Sequence, residues 1–276
     1  MTPIGRGEIG VFDSGYGGLT ILREIRRRLP DYSYLYLGDN ARAPYGTRSF
    51  DIVYDFTLSA VRRLFDEGCR LVILACNTAS AKALRTIQMR DLPRFAPDRR
   101  VLGVIRPTVE ALGSISKSGH IAILATPGTV ASRSYSLEVK KLYPEMTISE
   151  HACPMWVPLV ENNEADGPGA NYFVRKYIDE AIDADPKIDT IVLGCTHYPL
   201  LIKKIREAVP EGVNILSQGA LVADSLADYL NRHQEIEEHC HKGGGVRYLT
   251  TEQASRFDSL ASLFAGEEGH SKRIAL

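Results

Sequence analysis

The chain has 276 residues, 44% hydrophobic and 24% charged, with a formal net charge of -1. That is ordinary globular composition, long enough for one large or two modest α/β domains with a sizeable core. The near-neutral balance leaves no electrostatic footprint for nucleic acid or for an acidic membrane surface.

Along the chain, Ile9-Gly10-Val11-Phe12 predicts a first strand, followed by a Gly-rich turn and a helix ending before Pro30. In that helix Arg26-Arg27-Arg28 sits among Leu22, Ile25 and Leu29 at helical spacing, so it reads as a solvated face. Tyr34-Leu35-Tyr36-Leu37 predicts the second strand. Ser49 is placed as the N-cap of a helix with Val53, Phe56, Ala60 and Leu64 on one face, stopped at Gly68. Leu71-Val72-Ile73-Leu74-Ala75 is a continuous apolar run, as a parallel strand covered on both faces requires, and a helix follows from about Ala79. This β-α-β-α-β order implies an open, mostly parallel sheet. Val101 to Ile105, with Pro107 just beyond, is the expected crossover into a second half. There Ile121 to Ala125 predicts a strand that turns at Thr126-Pro127-Gly128-Thr129 and leads into a helix rich in Lys and Leu. Thr190 to Gly194 predicts a later strand ending at Cys195, and Val213 to Leu216 begins a tail expected to return to the first half. The expected division is residues 1–103 with 213–276 as one α/β domain and 104–212 as the other.

No run approaches the ~20 apolar residues of a membrane span, and the start shows no basic-then-apolar leader pattern. A cytoplasmic protein is therefore expected. Its five cysteines, Cys69, Cys76, Cys153, Cys195 and Cys240, are expected to be free thiols, and none forms a Cys-x-x-Cys pair. His239-Cys240-His241 is a poor metal site, because adjacent residues rarely aim at one tetrahedral ion.

The two halves repeat weakly. Val72 to Thr78 and Val192 to His197 each run from a buried strand through a small residue to Cys and then to polar residues. Phe12-Asp13-Ser14-Gly15 compares likewise with Leu124-Ala125-Thr126. A duplicated α/β domain explains both, with a Cys and a hydroxyl at the carboxyl ends of each set of strands, where open sheets bind ligands. A lone buried Cys is most often structural. Two at matching places ask for one explanation: a thiolate and a facing thiol can remove a proton from one face of a carbon and return one to the other. His197, two residues after Cys195, can assist its thiol, and Asp13 leaves the first strand on the Cys76 side. Asn77, Thr78 and Thr196 supply neutral donors, and Pro44 and Gly46 fix a loop that holds Tyr45 over a ligand.

Asp13-Ser14-Gly15-Tyr16-Gly17-Gly18 follows a strand and opens a helix, but Thr20 occupies the third Gly position of a dinucleotide fingerprint and no Gly-Lys-Ser/Thr of a P-loop is present. The turn reads as a tight turn with a capping Asp or as a cradle for a small carboxylate. Competing readings are an isomerase acting on aspartate or another carboxylate, a non-catalytic amino-acid binder, and a nucleotide enzyme. The paired cysteines argue against the second, and the broken fingerprint against the third.

Four segments together resemble the glutamate racemase family: Val11-Phe12-Asp13-Ser14-Gly15-x-Gly17-Gly18, Gly38-Asp39-x-Ala41-Arg42-x-Pro44-Tyr45-Gly46, Ala75-Cys76-Asn77-Thr78-Ala79 and Leu193-Gly194-Cys195-Thr196-His197-Tyr198-Pro199. They occur in that family's order, and the resemblance spans Ile9 to about Phe264. It implies two pseudo-symmetric α/β domains with mostly parallel sheets and the active site in the cleft between them. It implies interconversion of L- and D-glutamate without pyridoxal phosphate, metal or nucleotide, supplying D-glutamate for peptidoglycan. Cys76 would be the base toward D-glutamate and Cys195 toward L-glutamate, assisted by Asp13, Glu161 and His197. Asp13, Ser14, Tyr45, Gly46, Asn77, Thr78, Thr126, Thr129, Thr196 and His197 would bind substrate. The partners expected are glutamate and a second copy of the chain, with no nucleic acid and no membrane. Two places depart from the family's common pattern: Arg106-Pro107-Thr108, where Pro-Gly is usual, and Ser217-Gln218-Gly219, where Asp-Ser-Gly is frequent. Both lie near the expected connections between halves. The first strand starts almost at once, so the activation by a cell-wall precursor seen in members with an N-terminal extension is not expected.

Overall fold

The computed structural model describes residues 7–266 and 269–276. In the first half the strands are β1 (Ile9–Asp13), β2 (Tyr34–Gly38), β3 (Leu71–Leu74) and β4 (Arg100–Gly103). In the second they are β5 (His120–Ala125), β6 (Thr147–Ala152), β7 (Thr190–Gly194) and β8 (Asn214–Leu216). β9 (Val246–Thr250) and β10 (Ser271–Arg273) follow. Every pairing between these strands is parallel, in two sheets ordered β10-β9-β2-β1-β3-β4 and β6-β5-β7-β8.

The run β2-β1-β3-β4 has the topology of β6-β5-β7-β8, so the weak repeat in the sequence is a repeat of folded structure. β1 corresponds to β5 and β3 to β7. Cys76 and Cys195 therefore occupy equivalent places, each just past the carboxyl end of its strand. β9 and β10 extend one edge of the first sheet only.

Alternation across the strands explains their apolar sequences. Ile9 and Val11 of β1 join a continuous cluster that also holds Leu124 and Leu193 of the second sheet. Phe12 packs instead with Leu35, Leu37 and Leu74. The helix Leu19–Arg28 packs against Gln218–Arg232 and turns Arg27 and Arg28 outward, where they pair with Glu24 and Asp224 at 2.6 and 2.7 Å. Ser49 is the N-cap of the helix Phe50–Asp66, although its side chain makes no capping bond. Gly68 follows that helix with φ +102, a conformation that glycine adopts without strain.

The chain crosses to the second half through the helix Ile105–Ile115. Pro107 lies in its first turn, where backbone N–H groups have no intrahelical partner to lose. The expected return at residue 213 is corrected by β8, which pairs with β7 from Thr190↔Asn214 to Val192↔Leu216. The second sheet thus extends past residue 212, and the chain leaves it at Ser217. A three-residue strand is too short to show a period. In the His239-Cys240-His241 run, Cys240 donates to the Ile236 carbonyl and His241 contacts the Ser33 hydroxyl, both structural roles. Among the described residues no group of three or more His, Cys, Asp or Glu is placed to hold a metal ion. No helix among them is long and apolar enough to cross a membrane.

Candidate active site

A cavity of about 120 Å³ lies where strand ends of the two sheets meet. Ser14 lines it after β1, Tyr45 and Gly46 after β2, and Cys76, Asn77 and Thr78 after β3. From the other half come Thr126 after β5, Glu161 beyond β6, and Cys195, Thr196 and His197 after β7. Equivalent strand ends thus present both thiols to one space.

The Gly-rich turn is what lets the halves approach. A Cβ on Gly17 would lie 2.1 Å from Thr196 Oγ1 and 2.5 Å from His197 Nδ1. The Thr20 hydroxyl reaches both the Gly17 carbonyl at 2.8 Å and the Thr196 carbonyl at 3.1 Å, fastening one turn to the other. Asp13 is 1% exposed and does not itself line the cavity. Its Oδ1 accepts the Gly15 N–H at 2.9 Å, while Oδ2 has no hydrogen-bond partner among the described residues. Burial raises its pKa, against the field of His197 and the N–H groups of Gly15 and Gly18.

Cys76 is the N-cap of the helix Asn77–Lys82. Its sulfur accepts the Ala79 N–H at 3.5 Å and donates to the Ser14 hydroxyl at 3.5 Å. Burial, then the Asp13 carboxylate, push its thiol up to about 12, against the contacts with Ser14 and Ala79. Cys195 sits differently. Its sulfur is 3.8 Å from His197 Nδ1, and His197 Nε2 is 2.9 Å from Glu161 Oε1. Burial alone would lower His197, but hydrogen bonds to Cys195 and Glu161 outweigh it and raise the imidazole to about 10. The ring of Phe264 meets His197 edge-on, with centroids 5.4 Å apart.

Thr78, Thr126 and Thr129 bring three hydroxyls within 3.0 to 3.2 Å of one another across the halves. Thr129 is fully buried behind the cavity and supports the other two. The Tyr45 ring lines the cavity, but its hydroxyl donates to Asp39, which Arg42 and Thr251 also hold at 2.7 and 2.9 Å. The Gly46 carbonyl accepts the Gly128 N–H at 2.7 Å, a further bond between the halves.

Sequence reasoning missed part of the wall. Cys153, Pro154, Val157 and Pro158 line the cavity beyond β6. Their signal was positional: the segment after β6 is the counterpart of the Gly38 to Gly46 loop after β2. Burial holds the Cys153 thiol well above its ordinary range. Gln218 and Tyr135 were also missed; they hydrogen-bond the Asn77 side chain.

Residues 18–226 match the family model Asp/Glu/Hydantoin racemase. A glutamate racemase of Ruegeria sp. (strain TM1040) is 42% identical over 94% of this chain and 97% of its own length. The solved glutamate racemase of Bacillus anthracis superposes with a TM-score of 0.88 at 34% identity, covering 98% of both chains. That of Francisella tularensis, solved with D-glutamate, gives 0.87 at 28% identity, again over 98% of both. The chain belongs to the Asp/Glu/hydantoin racemases and, within them, to the glutamate racemase family. Its fold is accordingly the two-domain racemase fold, and its class that of an amino-acid racemase.

Proposed function

We propose that the chain interconverts L- and D-glutamate by proton transfer between the substrate α-carbon and the sulfurs of Cys76 and Cys195. The observation that carries this reading is a single cavity lined by both thiols, each at the end of an equivalent strand. From D-glutamate, the Cys76 thiolate takes the α-proton and the Cys195 thiol returns one to the opposite face. From L-glutamate the roles reverse. One proton leaves and one arrives in each turnover, so the site ends with its protonation mirrored. His197, backed by Glu161, supplies or stores a proton on the Cys195 side. Asp13 and Ser14 do so on the Cys76 side. Ser14, Tyr45, Gly46, Asn77, Thr78, Thr126 and Thr196 shape the binding surface, with Thr129 behind them.

The same reading makes D-glutamate for peptidoglycan the physiological product. It places the enzyme in the cytoplasm as a homodimer and divides it into domains at residue 103 and near Ser217. Light scattering in solution tests the dimer. Deuterium entry at the α-carbon of each glutamate enantiomer in heavy water tests the chemistry. Exchange from both is expected, with exchange from D-glutamate lost in Cys76→Ala, exchange from L-glutamate lost in Cys195→Ala, and racemisation lost in each. Absence of exchange in the unaltered chain would refute the reading, and preference for aspartate in a substrate panel would redirect it.

A further inference from the structure

Asn77, directly after Cys76, closes a ring of hydrogen bonds with two residues far away in sequence. Asn77 Nδ2 donates to Gln218 Oε1 at 2.6 Å, Gln218 Nε2 donates to the Tyr135 hydroxyl at 2.7 Å, and Tyr135 donates to Asn77 Oδ1 at 2.7 Å. Gln218 Nε2 also donates to Thr108 Oγ1 at 2.8 Å. Gln218 and Asn77 are each 2% exposed, and Tyr135 and Thr108 are 0% exposed. Around the ring each amide nitrogen and the Tyr135 hydroxyl finds an acceptor, and flipping either amide would set donor against donor, so each side chain has one orientation that satisfies the ring.

The four residues come from four helices. Asn77 opens the helix that presents Cys76, and Tyr135 stands in Ser134–Leu142 of the second half. Thr108 lies in Ile105–Ile115, which carries the chain out of the first half, and Gln218 begins Gln218–Arg232, which carries it back. Both crossings between the halves therefore meet at the residue beside Cys76.

We propose that Gln218 is a positioning residue: it holds Asn77, and with it the turn carrying Cys76, in register with both crossings. The proposal rests on the two-thiol reading above. It acts on one thiol more than the other, so its signature is directional. The full-length Gln218→Met variant keeps the side chain's length and removes its hydrogen bonds. A misplacement near 1 Å at a reacting group can cost about 10²-fold, and a loss in kcat of about tenfold or more is expected. The primary isotope effect from α-deuterated D-glutamate, whose proton goes to Cys76, should rise. That from α-deuterated L-glutamate should fall or stay level. Tyr135→Phe breaks the same ring, so combining it with Gln218→Met should cost no more than the worse single change. Should Gln218→Met fail to fold, as read by circular dichroism, Gln218→Asn is measured instead: one methylene shorter, it cannot span the ring. Unchanged kcat, equal changes in both isotope effects, or additive losses with Tyr135→Phe would each overturn the proposal. If the unaltered chain exchanges no α-hydrogen, the two-thiol reading fails first; if it does exchange and the variants match it, only the role of Gln218 fails.

Discussion

Cys76 and Cys195 leave equivalent strands of equivalent sheets, yet the two halves treat their thiols differently. Cys76 has a hydroxyl, a backbone N–H and a buried carboxylate beside it, and its thiol is pushed up to about 12. Cys195 has an imidazole raised to about 10, itself backed by Glu161. At neutral pH Cys76 therefore keeps its proton, while His197 is charged and faces Cys195. The duplicated fold supplies the positions, and the residues after each strand supply the asymmetry. Such asymmetry suits a reaction in which one sulfur must be thiolate while the other is thiol.

The largest effects should come from removing either sulfur. Cys76→Ala and Cys195→Ala should each lower racemisation by at least about 10²–10⁴-fold, the usual worth of a positioned acid or base. Melting temperatures should change little. Cys153 lines the same cavity, so Cys153→Ala sharpens the comparison. It should keep most activity, as should Cys69→Ala and Cys240→Ala. A Cys153 variant as impaired as Cys195→Ala would break the pairing of equivalent strand ends.

The contact between halves comes next. Gly17→Ala places a Cβ against the Thr196 and His197 side chains, close enough that both must shift from their places beside the cavity. Overpacking of this kind costs about 1–3 kcal/mol, and the displaced His197 should cut kcat by roughly 10²-fold. A variant with normal kcat would show that the turn tolerates separation of the halves.

How much of this was legible depends on where each residue's partners lie. β1, β3, β5 and β7 were readable because parallel strands buried on both faces become continuous apolar runs. β6 was not: Ser149, Glu150 and His151 sit on an edge strand that is only half-buried and carries no such run. The site residues found were those in contiguous motifs at strand ends. Gln218 and Tyr135 lie 141 and 58 residues from Asn77, and only folding brings them together. The unusual Ser217-Gln218-Gly219 was their one trace in the sequence.

A smaller effect tests the asymmetry directly. His197→Asn should impair proton removal from L-glutamate more, and Asp13→Asn removal from D-glutamate more, each by less than the about 10²–10⁴-fold of a direct acid or base. The enantiomers have equal free energy in solution, so the ratio of their kcat/KM values cannot move. The bias must appear in primary isotope effects, rising from the L side in His197→Asn and from the D side in Asp13→Asn. Identical isotope effects in both directions would dissolve the assignment of one helper to each thiol.

The smallest effect expected is that of Glu161→Gln, and its sign follows from His197. The folded imidazole titrates near 10 against an ordinary 6.5, because contacts with Cys195 and Glu161 outweigh burial. A raised pKa in the folded state means that stability is fully present below 6.5 and is lost as pH rises through about 10. Replacing the carboxylate with an amide removes one of the two groups holding the proton, so His197 should titrate lower and the alkaline loss should begin earlier. Glu161 is 29% exposed at its side chain, so solvent screens part of the interaction. A fall in melting temperature of about 2–4 °C near pH 6, corresponding to roughly 1 kcal/mol, is the scale expected, shrinking as pH rises through about 10, where His197 gives up its proton with or without Glu161. The alkaline limb of the activity profile from L-glutamate should move to lower pH with it. If the variant instead lost as much stability above about pH 10 as near pH 6, Glu161 would be a packing element of the Trp156–Glu161 helix end, and the proton on His197 would be held by Cys195 alone.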